Sequence, residues 1–270
     1  METNFESIPL THTNVDKFSQ DIMGEMNSCI NEKQFSKAAQ IAKNNIEKMA
    51  KNSSFLVVAA RAFKANQDYK TEAECLHMLV SIDPQPRYQI LLAESLSAQG
   101  DFPSAIKVLH QVLDETQGAT AILFEVYKNM GNIYLKCGDI EAAEEKYHKA
   151  NRINPNDESL NINYGVLAIQ KGLYEEAKER FSIVVCANGK NDLGWVGLAL
   201  VHRAHGDFDL ARACLLRALD ENPFNKMAII HFYQWCNEED IEPNFAMAMN
   251  YMSAFPDDIE IQKLVKGMNN

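Results

Sequence analysis

The sequence predicts an all-α protein, a solenoid of antiparallel helix pairs, and three observations predict it. Many residue columns recur at a fixed step of 34 residues. Inside each step, apolar residues return every three or four positions, as on one face of a helix. A turn signal then divides each step into two such runs. The columns are specific. Gly131 steps to Gly165, and Gly138 to Gly172 and Gly206. Ala143 steps to Ala177 and Ala211, Tyr147 to Phe181 and Leu215, Ala150 to Val184 and Ala218, and Pro155 to Gly189 and Pro223.

Taken in chain order, residues 1–18 form an arm outside the repeat, with Phe5, Ile8, Pro9 and Leu10 in a polar stretch. Ile8 precedes proline and so favours an extended backbone. Two readings stand for the arm: a mobile terminus, or a segment that lies against the solenoid of its own chain or of a neighbour. The repeats occupy residues 19–259, about seven units and roughly fourteen helices. Ile22, Phe35, Ala38 and Ala42 mark a weak first unit, and Phe63, Asp68, Tyr69, Leu76, Leu79 and Pro84 a second. Gly100, Ala105, Leu109 and Val112 belong to the third. Four extra residues near Gly118 then predict a longer loop before the fourth unit.

That fourth unit is the clearest. Phe124, Tyr127, Met130 and Tyr134 make one helical face. Gly138-Asp139 ends the helix and starts the next. Asn154-Pro155 stops the second helix, because proline cannot continue it. The fifth and sixth units repeat the pattern. Phe232, Met249 and Met252 mark a degenerate seventh, and residues 260–270 read as a tail. Small residues such as Gly131, Ala143 and Ala150 let backbones approach, while Tyr127, Tyr147 and Trp195 fill the opposite space. One pair cannot bury its own apolar face, so pairs must stack.

Composition narrows the function. The net charge of −11 disfavours binding to nucleic acid. The six cysteines form no C-x-x-C pair and sit within helical patterns, which fits a reducing, cytoplasmic location. The N-terminal stretch lacks a signal-peptide pattern, and no apolar run is long enough to insert in a membrane. No phosphate-binding loop, dinucleotide fingerprint or nucleophile elbow occurs, so neither a cofactor nor a catalytic residue is expected. His202 and His205 have metal-ligand spacing, but no third ligand accompanies them, so no metal site is expected.

Tyr127, Met130-Gly131, Tyr134, Gly138, Ala143, Tyr147, Ala150 and Pro155 make the chain resemble the tetratricopeptide repeat family. Trp195, Leu198, Gly206, Ala211, Ala218 and Pro223 repeat the likeness. It is strongest over residues 86–225. The resemblance implies a right-handed superhelix whose first helices line a concave groove. It also implies a non-catalytic adaptor or scaffold that holds a partner protein, as an amphipathic helix or an extended segment. The alternative is a regulatory or targeting subunit, with catalysis on its partner.

The expected groove residues are Lys128, Asn129, Asn132, Ile162, Asn163, Val166, Ile169, Val196, Leu200 and Arg203. In the weaker units Val57, Val58, Arg61, Ile90, Leu91, Glu94, Ile230, His231 and Gln234 hold the same register. Lys128, Asn132 and Asn163 match positions with which some family members clamp a peptide carboxylate. Leu193 and Gly197 stand where that clamp has its further cations, so ordinary groove polarity is the competing reading.

Overall fold

A computed structural model describes residues 17–116, 118–242 and 245–267. The described residues form fifteen helices and no strand. They fall into two compact units, Met1–Asn154 and Pro155–Asn270.

The first unit holds α1 (Lys17–Asn31), α2 (Phe35–Met49), α3 (Ser53–Ala65), α4 (Tyr69–Ile82), α5 (Pro86–Ala98), α6 (Phe102–Glu115), α7 (Thr120–Cys137) and α8 (Ile140–Ile153). Each odd helix packs on its even successor, and α2, α4 and α6 each pack on the next pair. The second unit continues with α9 (Glu158–Gln170), α10 (Tyr174–Ala187), α11 (Asp192–His205), α12 (Phe208–Glu221), α13 (Lys226–Glu238), α14 (Ala246–Ala254) and α15 (Ile259–Gly267).

The turn inside each pair repeats one backbone device. A left-handed residue stands at Lys33, Gln67, Gly100, Gly138, Gly172, Gly206 and Asp240. At Gly138, the amide of Asp139 donates to Tyr134 O and that of Gly138 to Leu135 O, which satisfies the last carbonyls of α7. Asp139 then caps α8 by accepting from Ala142 N at 3.0 Å. Asp68 and Asp101 cap α4 and α6 in the same way. Glycine takes the left-handed conformation without strain, whereas Lys33, Gln67 and Asp240 take it at a cost. Those three are the turns of the weak units.

Packing follows the size columns. Ala105, Ala143, Ala177 and Ala211 are fully buried, as are Tyr147 and Leu215, with Phe181 almost so. A Cβ at Gly131 would lie 2.3 Å from Tyr147 Cε1, and one at Gly165 2.5 Å from Phe181 Cζ. Each aromatic ring therefore rests on the bare backbone of the partner helix. Full burial of such a side chain is worth roughly 2–3 kcal/mol.

Three expectations meet a different structure. The four extra residues make no longer loop. Thr120 to Leu123 form an added first turn of α7, which is 18 residues long, because alanine, isoleucine and leucine continue the helix. Lys17 and Phe18 belong to α1, and residues 1–16 lie outside the described region. Part of the expected tail is helical, as α15, with Ile261 fully buried.

In the second unit, a polar ladder ties successive pairs. Glu158 accepts from Asn188 Nδ2 at 3.2 Å and Asn191 Nδ2 at 3.0 Å. One repeat later Asp192 accepts from Asn222 Nδ2 at 2.7 Å and Asn225 Nδ2 at 2.8 Å. Lys226 then pairs with Asp258 and Glu260. These contacts set how each first helix starts against the one after it.

Candidate functional site

The first helices of the pairs carry the expected groove residues, and side chains linking one first helix to another mark a common face. In the first unit, Arg61 on α3 donates to Asn27 Oδ1 on α1 at 3.3 Å. Lys64 on α3 pairs with Glu94 on α5 at 3.3 Å, and Lys136 on α7 reaches Ser97 Oγ on α5 at 3.5 Å. On this face Val57, Val58, Ile90 and Leu91 are buried. Lys128 pairs with Glu125 at 3.1 Å and lies over the Phe124 ring. Asn129 donates to Glu125 O at 3.0 Å, and Asn132 accepts from the Tyr147 hydroxyl at 2.8 Å.

The second unit presents a different surface. Arg203 on α11 pairs with Glu238, the last residue of α13, and with Glu239 just after it, and its guanidinium also covers the rings of Phe208 and Trp235. Ile162 and Val196 are buried in the core, while Val166, Ile169, Leu200 and Ile230 are half-buried at its edge. Leu193 on α11 and Met227 on α13, one repeat apart, are 41% and 51% exposed. His231 stacks on Trp235, and burial lowers the pKa of its imidazole. Asn163 Nδ2 is shielded from solvent and has no hydrogen-bond partner among the described residues. Apolar side chains with an unspent amide donor among them suit an apolar peptide whose backbone offers a carbonyl.

The sequence singled out Leu193 only as a missing cation and did not mark Met227. The step of 34 from one to the other was the available signal. Of the positions expected for a carboxylate clamp, Gly197 lies against the Phe181 ring. His202 and His205 approach different carboxylates, Asp207 at 3.6 Å and Glu175 at 3.5 Å. Among the described residues, no group of three or more metal-ligating side chains comes together. No described helix is long and apolar enough to cross a membrane.

Comparison with known proteins agrees with this repeat geometry. Three family models described as tetratricopeptide repeat match residues 86–111, 124–157 and 196–228. The chain is a tetratricopeptide repeat protein. Among curated relatives it is 27% identical to intraflagellar transport protein 70A of Xenopus tropicalis, over 62% of this chain and 25% of that protein. It is 32% identical to BBSome complex member BBS4 of Bos taurus, over 32% of this chain and 16% of that one. The chain thus matches a quarter or less of the length of these relatives.

Solved structures share the fold. The APC/C hetero-tetramer Cut9–Hcn1 superposes with a TM-score of 0.61 at 16% identity, covering 89% of this chain and 47% of that one. A tetratricopeptide repeat protein from Parabacteroides merdae also gives 0.61, at 13% identity, covering 94% and 100%.

Proposed function

We propose that this protein is a non-catalytic scaffold that holds a partner polypeptide on the inner face of its second unit. The observation that carries this reading is the exposure of Leu193 and Met227 beside half-buried Val166, Ile169, Leu200 and Ile230. A run of apolar side chains left in water at repeat spacing is characteristic of a binding surface. Ile162 and Val196 form its floor, Asn163 supplies a donor for a backbone carbonyl, and Arg203 closes one end. Lys128, Asn129 and Asn132 belong to the first unit and are not part of this face.

The partner presents an amphipathic helix or an extended apolar segment, and the scaffold works inside a multi-protein assembly. The names of the curated relatives, an intraflagellar transport protein and a BBSome member, support an assembly of that kind. The cysteines are free thiols, which suits a cytoplasmic setting.

The double substitution Val166→Asp and Leu200→Asp tests this reading. Two carboxylates on the face should remove partner co-purification while the helical circular dichroism stays unchanged. Undiminished co-purification would reject this face.

A further inference from the structure

The turns between paired helices give the second unit another surface. Leu173, just before α10, stands at the position where Asp68, Asp101 and Asp139 cap α4, α6 and α8, and it makes no cap hydrogen bond. An apolar residue there forgoes the stabilisation that a capping carboxylate supplies. It gains little burial in return, because Leu173 is 45% exposed. Phe208 and Leu210 at the start of α12 are 45% and 53% exposed, and Ile241 after α13 is 37% exposed. Contacts join these turns into one edge. The Tyr174 ring meets that of His205 edge-on at 5.9 Å, and His205 Nε2 lies 3.5 Å from Glu175. Arg203 covers the Phe208 ring and pairs with Glu238 and Glu239, while Arg212 joins Asp209 to Glu239. The charge of the edge is one-sided. Residues 171–176, 203–212 and 238–242 hold eight carboxylates against Lys171, Arg203 and Arg212, and both arginines are already paired. Glu175, Asp207, Asp209 and Glu238 are exposed.

We propose that this turn edge of the second unit is a docking surface for a cationic amphipathic helix of a partner polypeptide. Leu173, Phe208, Leu210 and Ile241 receive the apolar face of that helix, and the surplus carboxylates receive its lysines and arginines. Exposed apolar side chains grouped among polar ones mark an interaction site. The same carboxylates repel nucleic acid and anionic lipid headgroups, which leaves a polypeptide as the ligand. The bridges from Arg203 and Arg212 hold neighbouring turns together, so the edge is preorganised for binding. None of the four apolar residues belongs to the inner face assigned to a partner above, so the two surfaces are tested separately.

Two synthetic amphipathic peptides test the proposal by fluorescence anisotropy against the full-length protein. They share one leucine face, and their polar faces carry lysine in one and glutamate in the other. The lysine peptide should bind at least tenfold more tightly than the glutamate peptide, and added salt should weaken that binding. Leu173→Asp with Leu210→Ser should weaken the lysine peptide at least fivefold, even though the change adds a carboxylate. The thermal midpoint of that variant should not fall, since the new aspartate restores a cap. Val166→Asp with Leu200→Asp, the substitutions that test the inner face, should not weaken the peptide. Equal affinity for the two peptides, no binding of either, or binding untouched by the edge substitutions would overturn the proposal. So would loss of binding through the inner-face substitutions, or a lower midpoint in the edge variant, which would make Leu173 and Leu210 structural. A parent chain that is dimeric and becomes monomeric with the edge substitutions would also overturn it, because a second copy would then be the occupant.

Discussion

Glu72 shows how one residue can depart from its column and still be accommodated. It stands on α4 at the position that Ala105, Ala143, Ala177 and Ala211 fill in other pairs, and it is 1% exposed. Burial raises its pKa from 4.5 to about 7, with the repulsion of Glu94 adding to the rise. Lys64 and a hydrogen bond with Ser95 pull the other way. Ser95 Oγ also donates to Tyr69 O at 2.8 Å. The second oxygen, Oε2, is buried without a partner among the described residues. An acid whose pKa rises on folding stabilises the fold while protonated. That contribution is complete below pH 4.5 and is lost as pH rises through 7. Glu72→Gln should therefore be more stable than the parent at pH 8, by up to about 3 kcal/mol. The gain should shrink to nothing near pH 4.5. Urea titrations at pH 5 and pH 8 measure both ends, and a constant difference would contradict the assignment. The column match at Tyr69 and Leu76 brackets this position in the sequence. An acidic residue on a helix nonetheless reads as solvated, and only the packing of α3 and α5 around it reveals the burial.

At the scale of the helical element, the turns explain why the middle of the chain was legible and the ends were not. Gly100, Gly138, Gly172 and Gly206 announce the left-handed position, whereas Lys33, Gln67 and Asp240 adopt it without announcing it. The backbone requirement is the same, so the strain at the non-glycine turns is removable. Gln67→Gly should raise stability by about 1 kcal/mol, and Gly138→Gln should lower it by a similar amount. Opposite shifts in the two denaturation midpoints are the expected result. The close helix pairs make a second prediction. Gly165→Ala would press a methyl against the Phe181 ring, which Gly197 also contacts from α11. The ring is held from both sides, so a loss of roughly 1–3 kcal/mol should follow. A midpoint unchanged from the parent would show that the ring can move aside. The misread element was α7. Four inserted residues suggest a loop to a periodicity argument, but Thr120 to Leu123 extend the helix because nothing among them breaks it.

On the scale of the whole molecule, the repeat step of 34 was sufficient to reach the fold class and the pairing of helices. It could not separate inward positions that stay open from those that close. Val57 and Val58 look in sequence much like Val166, yet they are buried while Val166 is half-buried. Closure depends on what packs over a face, which a one-dimensional period does not record. The exposed pair Leu193 and Met227 came from the structure, and on them the account of a scaffold with a partner-binding second unit now rests. The most direct test places a photo-crosslinking amino acid at Leu193 or at Met227 and, as a control, at exposed Ile183 on α10. After illumination in native extract, the account predicts that Leu193 and Met227 capture the same partner polypeptide and that Ile183 does not. Capture of that polypeptide through Ile183, with none through Leu193 or Met227, would contradict it.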